Sequence, residues 1–371
     1  MNNEPVRVLQ ILPGGHVCGG IENCVMNYYR NIDREKVMFD FLVHYKEKGY
    51  YDDEIERLGG KIYYFSARED KNIFKYIKEL RKFFREHPEY KIVHGHMPGF
   101  APIYFFVAKC CGVKYRISHS HSASTEPNFK GLVLKCIVKS IRFFANIRFA
   151  CATEAGKFMY GKKEFVNIKN AVNAEKFLFD KEIRDDLRKK LDIEDKFVIG
   201  NVGRFNVVKN HDFLIDVFSE VKKKKPDSVL LLVGEGELQE QIKSKIDSYG
   251  LAEDVLFCGI SSNVDKLYQA MDCFVLPSIF QGLAIVAVEA QASGLKCVCS
   301  DKVPNEAKIT DLVEFIALDE SPEKWADKIL EAGNGYERRN MYDEVVASGY
   351  NIEQAADKLK DIYLEIAGNN K

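Results

Sequence analysis

Residues 197–218, FVIGNVGRFNVVKNHDFLIDVF, pass from an apolar, β-branched stretch through a loop carrying Arg204 and Lys209 into an amphipathic one. A buried strand that leaves through a short loop into a helix is half of a βαβ unit, and the same order returns in VLLLVGEG, VLFCG, CFVLPS and KCVCSD. The stretch therefore starts a parallel sheet wrapped by helices. Upstream, VRVLQIL, FDFLV, KIYYF, KIVHGH, YRISHS and FACAT follow the same pattern, each ahead of helix-like sequence. The chain reads as α/β, with two doubly wound, Rossmann-like domains.

A length of 371 residues with 46% hydrophobic content exceeds one ordinary domain, which agrees with two. The join is expected in NIKNAVNAEKFLFDKEIRDDLRKKLDIEDK, a turn-forming Asn stretch followed by a charged helix. This places an N-terminal domain at 1–175 and a C-terminal one at 176–345. The closing segment, 346–371, contains NIEQAADKLKDIYLEIAG, an amphipathic helix begun by an Asn cap.

Ten cysteines are scattered through apolar surroundings, which reads as buried free thiols rather than a disulfide framework. Cys110/Cys111 and Cys297/Cys299 lack zinc-ligand spacing, so no structural metal is expected. No run approaches 18 uncharged apolar residues and the N-terminus shows no signal-peptide pattern, which predicts a cytoplasmic protein. The net charge of -1 hides an asymmetry, about +9 over 1–180 and about -10 over 181–371. A basic half implies an anionic partner or surface. It carries neither a recognition-helix motif nor an aromatic stacking array, which argues against nucleic acid.

Gly19 and Gly20 precede a helix in PGGHVCGGIENCVMNYYRNI. A glycine pair there lets backbone N–H groups approach a phosphate or sugar, although a plain turn uses the same residues. In the second domain, Arg204 and Lys209 at a strand exit and helix entrance suit a diphosphate. Gly234 turns the next strand into its helix, and Cys258, Gly259 and Ile260 offer backbone for a flat base at the same sheet edge. In PSIFQGLAIVAVEAQASG, residues 277–294, a helix is expected from near Leu283 to Ser293, with Gly294 as its stop. The seven helical residues between Gly282 and Glu289 rise about 10 Å, the span of a pyrophosphate with a sugar at each end. Gln281 would meet one sugar, backbone near Leu283 and Ala284 the phosphates, and Glu289 the other sugar. A carboxylate on so apolar a helix needs partners. Ribose hydroxyls would supply them; solvent or a lysine is the alternative.

Taken in order, GGIENCVMNYYRNIDREKVMFDFLVH, RISHSHS, ACATEAGKFMYGKKEF, GRFNVVKNHDFLIDVF, VGEGEL and PSIFQGLAIVAVEAQASGLKCVCSD make the chain resemble a retaining, GT-B-fold glycosyltransferase of the fourth sequence family, bacterial exopolysaccharide and capsule type. The resemblance spans nearly the whole chain. It implies two domains facing a cleft, the last helix packing back on the N-terminal domain, and a nucleotide diphosphosugar, by habit a UDP-sugar, bound mainly by the second domain. The family's diphosphate-binding Arg and Lys match Arg204 and Lys209, its paired glutamates match positions 281 and 289, and its first glycine loop matches Gly19 and Gly20. A histidine near the reaction centre corresponds to His119 or His121. The reading favours His121, with His119 structural.

The departure is Gln281, where the pattern leads one to expect Glu. An amide can hold a sugar hydroxyl but supplies no negative charge to an oxocarbenium-like centre. The implied activity is transfer of a glycosyl unit to a hydroxyl of a saccharide or lipid-linked saccharide, with retention and without a metal cofactor. The alternatives are a sugar-nucleotide epimerase, or a sugar-nucleotide binding protein weakened by Gln281. Residues 129–149, with Lys135, Lys139 and Arg142 beside apolar neighbours, read either as a contact with the anionic inner face of the plasma membrane or as a core helix with a solvated basic stripe.

Overall fold

A computed structural model describes residues 4–13, 19–66, 70, 72–122, 129–280, 284–333 and 335–368. The chain forms two compact units, one of residues 1–171 with 351–371 and one of residues 172–350.

The first unit is built on seven strands: β1 (Val6–Ile11), β2 (Val37–Val43), β3 (Ile62–Tyr64), β4 (Ile92–Gly95), β5 (Tyr115–Ser120), β6 (Ile147–Ala150) and β7 (Val166–Asn167). Their order is β3-β2-β1-β4-β5-β6-β7, and every pairing is parallel. Alternate side chains of β1 serve opposite faces, as the two-residue period of a strand requires. Leu9 and Ile11 join Tyr76, Leu80 and Tyr104 on one side, while Val8 joins Phe39, Phe41 and Phe149 on the other. The Ile352–Gly368 helix belongs to this unit and adds Ile352, Ala356, Leu359 and Tyr363 to the second face. Its expected cap is present: Asn351 Oδ1 accepts from Glu353 N at 2.9 Å.

The second unit holds β8 (Phe197–Val202), β9 (Ser228–Val233), β10 (Val255–Phe257), β11 (Cys273–Leu276), β12 (Lys296–Ser300) and β13 (Val313–Ile316), in the order β10-β9-β8-β11-β12-β13. Its pairings are also parallel. Both β8 and β9 are buried along their whole length, which explains why they read as continuous apolar runs rather than as alternation. In each unit the strand order reverses once, between β1 and β4 and between β8 and β11. Ligands of open parallel sheets bind at the carboxyl ends of the strands beside such a reversal.

Two expectations need correction. Among the described cysteines, Cys24, Cys151, Cys273, Cys297 and Cys299 are buried free thiols, but Cys110 and Cys136 are exposed. They fall on outer faces of helices that the apolar sequence around them conceals. The helix expected from Leu283 begins at Ile285, because Ala284 has a non-helical ψ of 73° and caps it. From that start to Glu289 the rise is about 6 Å, and Gly282, from which the longer span was counted, lies outside the described residues.

Candidate functional site

In the second unit, backbone hydrogen bonds bind the strand exits to one another. Gly203 N donates to Val233 O at 2.9 Å, Gly234 N to Gly259 O at 2.8 Å, Phe205 N to Glu235 O at 3.0 Å, and Ile279 N to Val208 O at 2.9 Å. Gly234 lies at φ 130°, and a Cβ there would stand 2.2 Å from the Gly203 carbonyl oxygen. Only glycine lets these loops approach so closely. Gly259, at φ 61°, and the exposed Ile260 lie on the adjoining loop.

Lys209 ends the Val207–Lys209 turn, where Asn206 Oδ1 accepts from its N–H at 3.1 Å. Its stem lies over Gly203, whose Cβ position would be 2.8 Å from Lys209 Cε. The residue keeps some exposed surface, but dense packing around the ammonium lowers its pKa to about 8, with the Glu289 charge opposing that shift. Among the described residues no carboxylate pairs with it. Arg204, in the same loop, is exposed and held by Glu237 at 3.0 Å. Such an exposed pair contributes little and is readily exchanged for another anion.

Glu289 is buried on the Ile285–Ala292 helix. Tyr268, from the Val264–Ala270 helix, donates to its Oε2 at 3.0 Å. Burial raises the Glu289 pKa to about 7, against the opposing effects of Tyr268, Lys176 and Lys209. Nearby, Lys176 pairs with the buried Asp265 at 3.0 Å. Ala284, also buried, precedes the first turn of the helix, and its carbonyl accepts from Ala287 N at 2.9 Å. Gln281, Gly282 and Leu283 lie outside the described residues.

Tyr268, Lys176, Asp265 and His211 were not anticipated from sequence. Tyr268 stands three residues after Asp265, a spacing that shares a helix face, and that spacing was the available signal. His211 packs edge-on to Phe205, ring centroids 4.5 Å apart, and neither ring nitrogen has a hydrogen-bond partner among the described residues. Burial, and then the Lys209 charge, lower its pKa to about 3.

In the first unit, Gly19 caps the Gly20–Asn31 helix with extended backbone. A Cβ at Gly19 would meet the Glu22 carboxylate at 2.3 Å, whereas Gly20 has open space before it. An acid of the same helix thus stands at the helix start expected to receive an anion. His119 is buried and His121 partly so; both belong to a group with His94 and His96, at the carboxyl ends of β4 and β5. Burial lowers the His121 pKa to about 4, so the ring is neutral at physiological pH.

These features agree with the similarities of the chain to known proteins. Residues 183–348 match the model of the family described as glycosyl transferases group 1. The putative glycosyltransferase EpsF of Bacillus subtilis (strain 168) is 33% identical over 375 residues, covering 98% of this chain and 97% of the relative. The UDP-Gal:alpha-D-GlcNAc-diphosphoundecaprenol alpha-1,3-galactosyltransferase of Escherichia coli is 25% identical over 385 residues, covering 97% of each chain. Among solved structures, Anabaena Alr3699/HepE in complex with UDP-glucose superimposes with a TM-score of 0.75 at 16% identity, covering 98% of this chain and 99% of that one. That likeness shows the fold.

Proposed function

The chain belongs to the group 1 glycosyl transferases, with a GT-B fold, and on that premise we propose that it transfers a sugar from a UDP-sugar to a hydroxyl of a saccharide or lipid-linked saccharide acceptor in surface polysaccharide synthesis, with retention at the anomeric carbon. The observation that carries the donor half is Lys209: a desolvated ammonium without a paired acid among the described residues, beside a strand reversal and near Glu289. A diphosphate is the anion that suits it. The uridine nucleotide and the lipid-linked acceptor draw support from the names of the E. coli relative and of the HepE complex.

In the proposed reaction the bond from C1 to the β-phosphate oxygen breaks while the acceptor oxygen bonds C1 from the same face. The acceptor proton passes to the departing phosphate. Lys209, Arg204 after release from Glu237, and the start of the Ile285–Ala292 helix stabilise the charge that grows on the diphosphate. Two cations and a helix end complement that charge without a metal ion. Glu289 holds the ribose through Oε1, since Oε2 already accepts from Tyr268. For the first unit the same reading assigns His121 to a saccharide hydroxyl, and Gly19 and Gly20 to a phosphate or sugar.

A peripheral membrane contact belongs to the same reading. On the Phe129–Ile141 helix and the turn after it, Leu132 is 60% and Phe143 64% exposed beside the exposed Lys135, Lys139 and Arg142. Exposed apolar side chains among cations suit the headgroup region of an anionic bilayer. Among the described residues no helix is long and apolar enough to cross a membrane.

The test is nucleotide release from UDP-, GDP- and ADP-sugars with membrane lipid extract as acceptor. Acceptor-dependent release from a UDP-sugar is expected. Conversion of the sugar without acceptor would indicate an epimerase, and binding without turnover a weakened binding protein.

A further inference from the structure

His94 and His96 on one segment, and His119 and His121 on the next, are each two residues apart, so each pair shares a sheet face. The parallel register that sets Gly95 beside Ser118 then collects all four rings at one sheet edge. Neighbouring rings among them have centroids 4.1–5.3 Å apart and planes 10–43° apart. Ring nitrogens of His94, His96 and His119 lie within 4.8 Å of one another. Both nitrogens of His96 are already hydrogen-bonded, however, and rings this close to parallel stack rather than aim their in-plane lone pairs at one point. The geometry describes a hydrogen-bonded chain better than a metal site.

That chain has an order. Gln10 Oε1 lies 2.9 Å from His96 Nε2. An amide oxygen only accepts, so His96 Nε2 carries the proton and His96 Nδ1 is a lone pair. His121 Nε2, 2.8 Å from that Nδ1, must therefore donate to it. In the other direction, Gln10 Nε2 donates to the Tyr363 hydroxyl at 3.3 Å, and that hydroxyl, 2.6 Å from His94 Nδ1, donates onward. Tyr363 comes from the last helix, 353 residues from Gln10 in sequence. His121 Nδ1 has no partner among the described residues.

We propose that Gln10, His96 and Tyr363 are positioning residues that hold His121 as its Nε2–H tautomer, leaving Nδ1 as a lone pair that accepts an O–H group of a bound saccharide. The saccharide contact rests on the reading of His121 given under Proposed function; the tautomer does not. A lone pair at that atom receives a hydroxyl and repels a phosphate oxygen. The chain thereby selects which part of a substrate this histidine meets.

The experiment is nitrogen NMR of the full chain carrying ring-labelled histidine, with the His121 signals assigned by their loss in His121→Gln. Between pH 6 and 8 the expected spectrum has His121 protonated at Nε2 and bare at Nδ1. In Gln10→Met and Tyr363→Phe, each checked for an unchanged unfolding transition, the two tautomers should mix. Turnover should fall about tenfold at unchanged donor KM, as misorientation of one reacting group does. Protonation at Nδ1 in the wild type would overturn the proposal, because the amide of Gln10 would then face the other way and the whole chain would run in reverse. A tautomer that survives both substitutions would overturn it equally. If the tautomer behaves as stated while His121→Gln turns over normally, the placement of His121 at the reaction centre fails and the positioning role of the chain stands.

Discussion

Tyr268 donates its phenolic hydrogen to Glu289 Oε2 at 3.0 Å, joining the helix before β11 to the helix after it. This bond leaves a carboxylate that burial still holds at a pKa of about 7. The carboxyl group therefore has a pH signature. The unfolded chain binds this proton at the ordinary value near 4.5, so in the window between the two values the folded state holds more proton. Stability falls as pH rises from about 4.5 through about 7, then levels off. The loss is on the order of 3 kcal/mol. Glu289→Gln removes it, so the melting temperature of the variant should gain on the wild type between pH 5 and 8, while its nucleotide affinity falls roughly 10- to 100-fold. Thermal melts at three pH values check this; a difference independent of pH would contradict it.

Lys209 has a lowered pKa of about 8 because its ammonium is desolvated. Below that pH it meets a diphosphate as a cation, and above it binding must first take up a proton. Affinity for UDP is expected to weaken about tenfold between pH 7 and 9 by this linkage. Lys209→Met should bind more weakly at both pH values and show little of that dependence. Calorimetric titration at the two pH values separates the outcomes.

Gly234 and Gly259 both have positive φ, yet they differ in what a methyl group would meet. At Gly234 it would stand 2.2 Å from the Gly203 backbone oxygen; at Gly259 the nearest atom is a Glu235 side-chain oxygen at 3.4 Å. Gly259→Ala adds only left-handed backbone strain, about 1 kcal/mol. Gly234→Ala must also separate two hydrogen-bonded loops, at a cost of about 2 to 4 kcal/mol. Urea unfolding of the two variants should rank them in that order, and nucleotide binding should fail first in Gly234→Ala.

Lys209, Gly234 and Glu289 could be singled out as candidates because each follows its own strand, where local spacing reports position. Buried strands such as β8 announced themselves by apolar runs that neither helix period nor alternation explains. What spacing could not report was convergence. Tyr268 reaches Glu289 across β11, and Gln10 meets His96 and Tyr363 only because β1 neighbours β4 and the chain returns for its last helix. His211 was hidden for a different reason: a histidine at a helix start looks exposed until Phe205 covers it. Glu22 went unnoticed too, since a glycine pair in sequence does not reveal the acid that stands over Gly19.

The exposed Leu132 and Phe143, among Lys135, Lys139 and Arg142, should direct the chain to anionic vesicles. Flotation with phosphatidylglycerol vesicles is expected to carry the protein upward at low salt and less so at high salt, because exposed charges are screened. Replacing Lys135 and Lys139 with Glu should abolish flotation and leave nucleotide binding intact. Equal flotation with neutral vesicles would remove charge from the explanation.

Gln281 tests the departure from the family pattern directly. The family pattern leads one to expect a carboxylate here to meet an oxocarbenium-like centre with negative charge, whereas an amide offers only a dipole. If the reaction proceeds as proposed, Gln281→Glu is expected to raise kcat tenfold or more, with donor KM changed far less, because the added interaction strengthens as charge develops. Nucleotide release by the two proteins, assayed in parallel with the same UDP-sugar and lipid extract, reads this out. An unchanged or lower kcat in the Glu variant would make the amide itself the working group. Its hydrogen-bonding capacity, one acceptor with two donors, would then be the feature by which the site selects its donor sugar.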